Sequence, residues 1–120
     1  MSKYSSRKAA ADGITFDSTV ERDRYLHLKR LERVGYISGL ELQPVYELQE
    51  GYVRHGKKIQ AEKYKGDFRY AKDGEIVVED VKGMRLPMYL SKLKRLLYLH
   101  PELNFIEVTR KQGRWEEVIK

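Results

Sequence analysis

The sequence predicts an α/β domain in which helices flank one central mixed β-sheet, in three layers and in the order αβββαβ. Three observations carry that prediction. Ser18 and Glu21 stand at capping-box spacing ahead of a helical pattern that Gly35 stops. The stretch Gly66 to Gly83, GDFRYAKDGEIVVEDVKG, sets Asp73-Gly74 between two apolar-rich runs, a strong short-range signal for a β-hairpin. Pro87 opens a second helix that Pro101 ends, and the alternating stretch Asn104 to Arg110 then reads as a strand parallel to its neighbour, because a helix has intervened.

Composition narrows the class of protein. The chain has 120 residues, enough for a single core. With 41% apolar and 35% charged residues it reads as globular and soluble, and no apolar run is long enough to span a membrane. The first ten residues, MSKYSSRKAA, lack a signal-like apolar segment, so the expected location is the cytoplasm. Zero cysteines exclude a disulfide, a cysteine zinc site and a thiol nucleophile, and three scattered histidines do not suggest zinc. Twenty-four Lys and Arg against eighteen Asp and Glu leave a net charge of +6, which favours a polyanion as partner, most simply nucleic acid.

Residues 1–12 are small, polar and basic and are expected to form a flexible arm, with residues 13–120 as the one domain. The first helix is expected from Ser18 to Val34, with Val20, Tyr25, Leu28 and Leu31 as its apolar stripe. At ~100° per residue Glu21 falls roughly 20° from Leu28, inside that stripe, where a carboxylate is unfavourable unless something satisfies it. Two readings of Glu21 stand: it folds back onto the Ser18 N–H as part of the capping box, or it points at the sheet as part of a site. Ile37 to Gln49 alternates and is expected to be a strand, bent or placed at an edge by Pro44. Glu50 to Lys58, polar and with two glycines, is expected to be a loop.

Ile59 to Tyr70 is expected to be one strand, with Tyr64, Phe68 and Tyr70 on one face and Lys63, Lys65, Asp67 and Arg69 on the other. A row of three cations beside an acid suits a phosphodiester backbone crossing a metal site. Glu75 to Lys82 is nearly continuously apolar before its acids and reads as a central strand, with Asp80 and Lys82 at a solvent-facing end. The second helix buries Tyr89, Leu93, Leu96, Leu97 and His100 and leaves Lys92, Lys94 and Arg95 outside that stripe. Trp115, in the tail, is expected to pack.

The hairpin fixes a constellation. If Asp73 and Gly74 are the whole loop, Lys72 faces Glu75 and Asp67 faces Asp80. Alternation then brings Lys82 to their face and turns Glu79 and Val81 away. Like charges directly opposite destabilise a sheet, so the pair needs solvent or a cation to offset the repulsion. A hard divalent cation, magnesium or manganese, suits an all-oxygen site.

Glu21 on the first helix, Asp67, and Asp80-Val81-Lys82 after a hairpin together resemble the PD-(D/E)XK nuclease superfamily. The stretches FDSTVERDRYLHLKRLE, ELQPVYELQ and VVEDVKG look like a phage-encoded, endonuclease-like family within it. The resemblance runs from about Gly13 to Val108 and departs at Gly66, which stands where the superfamily's pattern has proline. It implies a restriction-endonuclease-like core and a magnesium-dependent endonuclease, with manganese able to substitute. Asp67, Asp80 and the Val81 carbonyl would hold metal, Glu21 would complete the site directly or through water, and Lys82 would orient or help deprotonate the attacking water and stabilise charge on the phosphate. Lys63, Lys65, Arg69, Arg85 and Lys92 are the cations expected along the DNA. A chain with no module to spare for reading a base sequence is expected to select branched DNA by shape, in the manner of a Holliday-junction resolvase in phage DNA recombination. Such enzymes act as symmetric homodimers. The second expectation is a non-catalytic nucleic-acid-binding module on the same fold.

Overall fold

The computed structural model describes residues 7–120. A short hairpin of β1 (Ala9–Ala11) and β2 (Ile14–Phe16) leads into helix α1 (Thr19–Arg33). Seven strands follow: β3 (Ser38–Leu42), β4 (Val45–Gln49), β5 (Tyr52–Arg54), β6 (Lys57–Ile59), β7 (Glu62–Lys65), β8 (Phe68–Lys72) and β9 (Glu75–Val81). Helix α2 (Pro87–Leu99) and strands β10 (Asn104–Lys111) and β11 (Arg114–Ile119) complete the chain. The central sheet has the order β11-β10-β9-β8-β3, and its one parallel pair is β9 with β10, the strands on either side of α2. Within this sheet and its helices, α1, β3, β8, β9, α2 and β10 follow the αβββαβ order, and β11 adds an outer strand.

Turn chemistry sets much of this local structure. Asp12-Gly13, His55-Gly56, Asp73-Gly74 and Gln112-Gly113 are all two-residue turns, with φ of +50° to +52° at the first residue and +75° to +79° at the glycine. Two consecutive positive φ values define the turn whose twist matches that of the flanking strands, and glycine takes the second position without strain. The β8–β9 hairpin has the expected register, from Lys72 opposite Glu75 to Phe68 opposite Glu79. At the start of α1, the Ser18 Oγ accepts the Glu21 N–H at 3.1 Å, and α2 opens on Pro87.

The sheet separates two cores. On one face α1 packs Tyr25 and Leu28 against Phe16, Ile37, Phe68, Tyr70 and Val77. On the other, α2 packs Leu93 and Leu96 against Leu48, Tyr64, Val78 and Phe105. Each such side chain, fully buried, contributes roughly 1.5–3 kcal/mol. Strand β9 is covered on both faces, Val77 and Glu79 toward α1, Val78 and Asp80 toward α2.

A buried ion pair fixes α1 on the sheet. Arg24 Nε donates to Glu79 Oε1 at 2.7 Å and Arg24 Nη2 to Glu79 Oε2 at 2.9 Å, while the Tyr70 hydroxyl donates to Glu79 Oε2 at 2.6 Å. Arg24 Nη2 also reaches Glu117 of β11 at 2.8 Å, and the guanidinium lies 5.2 Å from the centre of the Trp115 ring.

Several expectations are corrected. Ala9–Ala11, expected in a flexible arm, pairs with β2 through Asp12-Gly13; residues 1–6 lie outside the described residues. The Ile37–Gln49 strand breaks at Gln43-Pro44 into β3, at the edge of the central sheet, and β4, which pairs with β7. The Glu50–Lys58 loop is mostly the β5–β6 hairpin. Ile59–Tyr70 is interrupted at Gly66-Asp67, where the Gly66 N–H binds the Pro44 carbonyl and the Gln43 N–H the Asp67 carbonyl, each at 2.9 Å. Tyr64 therefore joins the α2 core while Phe68 and Tyr70 join the α1 core, and Lys63, Lys65, Asp67 and Arg69 do not form one row.

Arg24→Met leaves Glu79 buried beside no counter-charge and is expected to destabilise the fold by about 3–5 kcal/mol. Arg24→Met with Glu79→Leu is expected to recover part of that loss, and urea denaturation midpoints of the three proteins measure both effects.

Candidate functional site

Glu21 of α1, Asp67 between β7 and β8, Asp80 of β9 and Lys82 just after β9 meet near the first turn of α1. Asp80, on β9, is 2% exposed. Its Oδ1 accepts the Asp67 N–H at 2.8 Å, and its Oδ2 accepts the Tyr64 hydroxyl and lies 3.7 Å from Lys82 Nζ. Asp67 Oδ2 accepts the Val81 N–H at 2.8 Å. Glu21 shares a hydrogen bond with Asp67. Of the two readings of Glu21, its side chain takes the second: the Glu21 backbone N–H is capped by Ser18 Oγ, but its carboxyl reaches Asp67 and not the Ser18 N–H.

The expectation that Asp80 faces solvent is corrected, because β4 and β7 fold over the α2 side of the sheet and bring Tyr64 onto it. Gly66 makes this approach possible. A Cβ there would meet Val78 Cγ1 at 3.1 Å and Asp80 Oδ1 at 3.4 Å. Its N–H is also in use, bound to Pro44, and proline at this position would have none to offer.

The acids perturb one another. Burial raises the Asp67 pKa well above the ordinary carboxylate value, and the charges of Asp80 and Glu21 add to it. Burial also raises Glu21, helped by the charge of Asp17 and opposed by the hydrogen bond to Asp67 and by Lys82. Asp80 is raised by burial against the opposing pull of Lys82, Tyr64 and the Asp67 N–H. Glu107, directly paired with Asp80 across the parallel ladder, goes the other way. Burial works against its charge too, but the Tyr89 hydroxyl at 2.6 Å and Arg85 Nε at 2.8 Å outweigh it and lower its pKa. Two neighbouring acids are thereby set apart, one held as a charged anchor and the other drawn toward a proton.

Tyr64 and Tyr89 are the site residues that sequence reasoning missed. Tyr64 binds Asp80, and the Tyr89 ring lies under Lys82, 4.2 Å from Nζ to the centroid. Both fell in apolar stripes, and the available signal was that a buried tyrosine hydroxyl needs an acceptor. Beside them opens a cleft of about 370 Å³ lined by Lys63, Lys65, Lys82 and Lys92 with Asp80, Tyr64 and Tyr89, and rimmed by Met84, Leu86 and Met88. Lys92 Nζ donates to the Lys63 carbonyl at 3.1 Å, joining α2 to β7. Arg69 and Arg85 are placed otherwise. Arg69 forks onto Glu41 at 3.1 and 2.7 Å and donates to the Tyr46 hydroxyl at 2.9 Å, while Arg85 reaches down to Glu107.

Three carboxyl groups against one lysine leave the cluster with excess negative charge, and two carboxyls in mutual hydrogen bond need a proton or another cation between them. Among the described residues, no three acid or histidine side chains already surround a common point as a formed metal site. The donor set is all oxygen, which fits magnesium or manganese and not a softer metal.

Fold and site together define a mixed-sheet α/β domain with a buried acid and lysine cluster at a basic cleft. The chain belongs to the family described as "Protein of unknown function (DUF1064)", whose model matches residues 1–115. No curated protein matches it. Among solved structures, "Crystal structure of SSO0001" is similar, at 18% identity and a TM-score of 0.48, over 83% of this chain and 50% of that one. The chain thus spans half the length of that protein.

The raised pKa values carry a stability sign. The unfolded chain releases the Glu21 and Asp67 protons near 4.5 and 3.8, while the folded chain holds them to higher pH. Folding therefore binds protons at these two groups across that window, and without metal their contribution to stability is expected to fall as pH rises from about 4 toward neutrality, opposite in sign to that of Glu107. Asp67→Asn, which keeps an oxygen for the Val81 N–H, is expected to raise the melting temperature at pH 7 and flatten this dependence, as melting in EDTA across pH will measure.

Proposed function

We propose that this protein is a divalent-cation-dependent endonuclease that hydrolyses DNA phosphodiester bonds, with branched DNA as its preferred substrate. The observation that carries the reading is the meeting of Glu21 and Asp67 with Asp80 and Lys82, the last two lining a cleft that Lys63, Lys65 and Lys92 also line. Basic walls leading to a carboxylate cluster match a ligand that is itself a row of anions. The same four residues carry the resemblance to the PD-(D/E)XK nucleases.

Asp67, Asp80 and the Val81 carbonyl, with Glu21 directly or through water, are the groups that would hold magnesium or manganese, whose chemistry is to acidify bound water and offset charge on the phosphate. The chain's own residues do the rest. Lys82, beside Asp80 and over the Tyr89 ring, orients the attacking water and stabilises negative charge as the new P–O bond forms and the old one breaks. Tyr64 holds the Asp80 carboxylate in one orientation through Oδ2, and the Asp67 N–H holds Oδ1. Lys63, Lys65 and Lys92 position the backbone without reading bases. The preference for branched DNA rests on analogy with the resolvases that the sequence resembles. Paired cuts on opposed strands would call for two copies related by a two-fold axis.

The test is cleavage of a labelled four-way junction, flap, linear duplex and single strand with magnesium, manganese or EDTA. Metal-dependent nicks favouring the junction are expected, with none in EDTA. Lys82→Ala and Asp80→Asn are each expected to slow cutting by about 10²–10³-fold or more with binding retained. Full activity in both variants would overturn the site, and binding by the wild type with no cutting would favour the non-catalytic module.

A further inference from the structure

The segment Tyr52–Ile59 is a paired hairpin in which no residue is buried. Neither core accounts for it. Its pairing continues that of the ribbon beneath it: Gln49 faces Glu62, Tyr52 faces Ile59, Val53 faces Lys58 and Arg54 faces Lys57. Strands β4 to β7 therefore keep one register along a single ribbon, bulged between Glu47 and Gln49 and interrupted at Glu50-Gly51 and Gln60-Ala61. Its base brings Lys63 and Lys65 to the cleft, and its tip is the His55-Gly56 turn. Lys57 lies six residues from Lys63, about 20 Å of extended chain.

The charge on this ribbon is one-sided. From Gly51 to Ala61 there is no acid, against Arg54, Lys57 and Lys58. Arg54 and Lys57 are directly opposite each other, an arrangement that weakens a hairpin standing alone. Among the described residues, none of these three cations makes an ion pair. Alternation along the strand puts Lys57, Lys63 and Lys65 on one side, with Arg54 across from Lys57. A polyanion lying along that side offsets the repulsion and continues into the cleft. A two-stranded ribbon also has the width to enter the major groove of a duplex.

We infer that the β4–β7 ribbon is a duplex-binding arm, whose tip cations grip phosphates roughly six base pairs from the cleft, Arg54 and Lys57 on the side that leads to Lys63 and Lys65 and Lys58 on the opposite side, toward the other wall of the groove. The inference rests on the nuclease reading for the identity of its ligand as DNA. Its readout is binding in EDTA, so it stands or falls separately from cleavage.

The experiment titrates the full chain against a labelled linear duplex and a single strand of equal length, over a range of salt. Arg54→Gln/Lys57→Gln/Lys58→Gln is compared with wild type and with Arg30→Gln/Arg33→Gln/Lys94→Gln, which removes three charges elsewhere. The arm variant is expected to bind the duplex about tenfold or more weakly at low salt, and its slope of log affinity against log salt to fall by about 2 to 3. The control is expected to change little. Equal slopes for arm variant and wild type, equal losses in arm variant and control, or equal losses on single strand and duplex would each overturn the inference. All three tip residues are exposed, so melting temperatures are expected to match and to exclude unfolding as the cause.

Discussion

The pair between Arg24 and Glu79 sets the geometry on which the site depends. Arg24 lies one helical turn after Glu21, and Glu79 immediately precedes Asp80. Anchoring one residue to the other, with two hydrogen bonds in a fixed fork, fixes the height and rotation of α1 over β9 and so the position of Glu21 relative to the strand acids. Glu117 and Trp115, from the last strand, close the same arrangement from the other side. Such a buried pair adds little net stability over apolar residues of the same size, but one partner without the other is strongly unfavourable. Its strength is therefore in allowing one docking geometry and excluding slipped ones.

On the opposite face, burial of acids is managed with tyrosines. Asp80 and Glu107 are neighbours across the parallel β9–β10 pair and both lie under α2. Tyr64 satisfies one and Tyr89 the other. Arg85 and Lys120 add positive charge at Glu107, whereas Asp80 has Lys82 alone at a longer distance and Asp67 close by. Acids are concentrated at one end of the sheet, where burial and their mutual repulsion raise the pKa values of Glu21 and Asp67. Such mutual repulsion among buried acids is held at some expense in stability.

The central hairpin was legible because a two-residue Asp-Gly turn fixes register, and register fixes which acids meet. The same reasoning applied to Asp12-Gly13 would have found β1 and β2. His55-Gly56 and Gln112-Gly113 adopt the same turn with first residues that carry weaker signals, so β5–β6 and β11 were not anticipated as hairpins. The long strand expected over Ile59–Tyr70 is not formed: alternation continues unbroken through Gly66-Asp67 in sequence, while the backbone there turns to exchange hydrogen bonds with Gln43 and Pro44. Nothing within the segment itself marks that exchange, since its partner lies some twenty residues earlier.

The sequence by itself determined the helices, the β8–β9 register, the parallel return after α2 and the meeting of Asp67, Asp80 and Lys82. Each follows from local rules: a cap, a turn, a proline, a period of two or 3.6 residues. Tertiary structure alone decided that Asp80 is buried and not solvent-facing, that Tyr64 and Tyr89 complete its surroundings, and that Arg69 is held by Glu41 and not in line with Lys63 and Lys65. The physical reason is that burial and charge balance depend on which chain segments cover a residue. Those contacts are made across the sequence, between β7, β9 and α2, where no local pattern reaches.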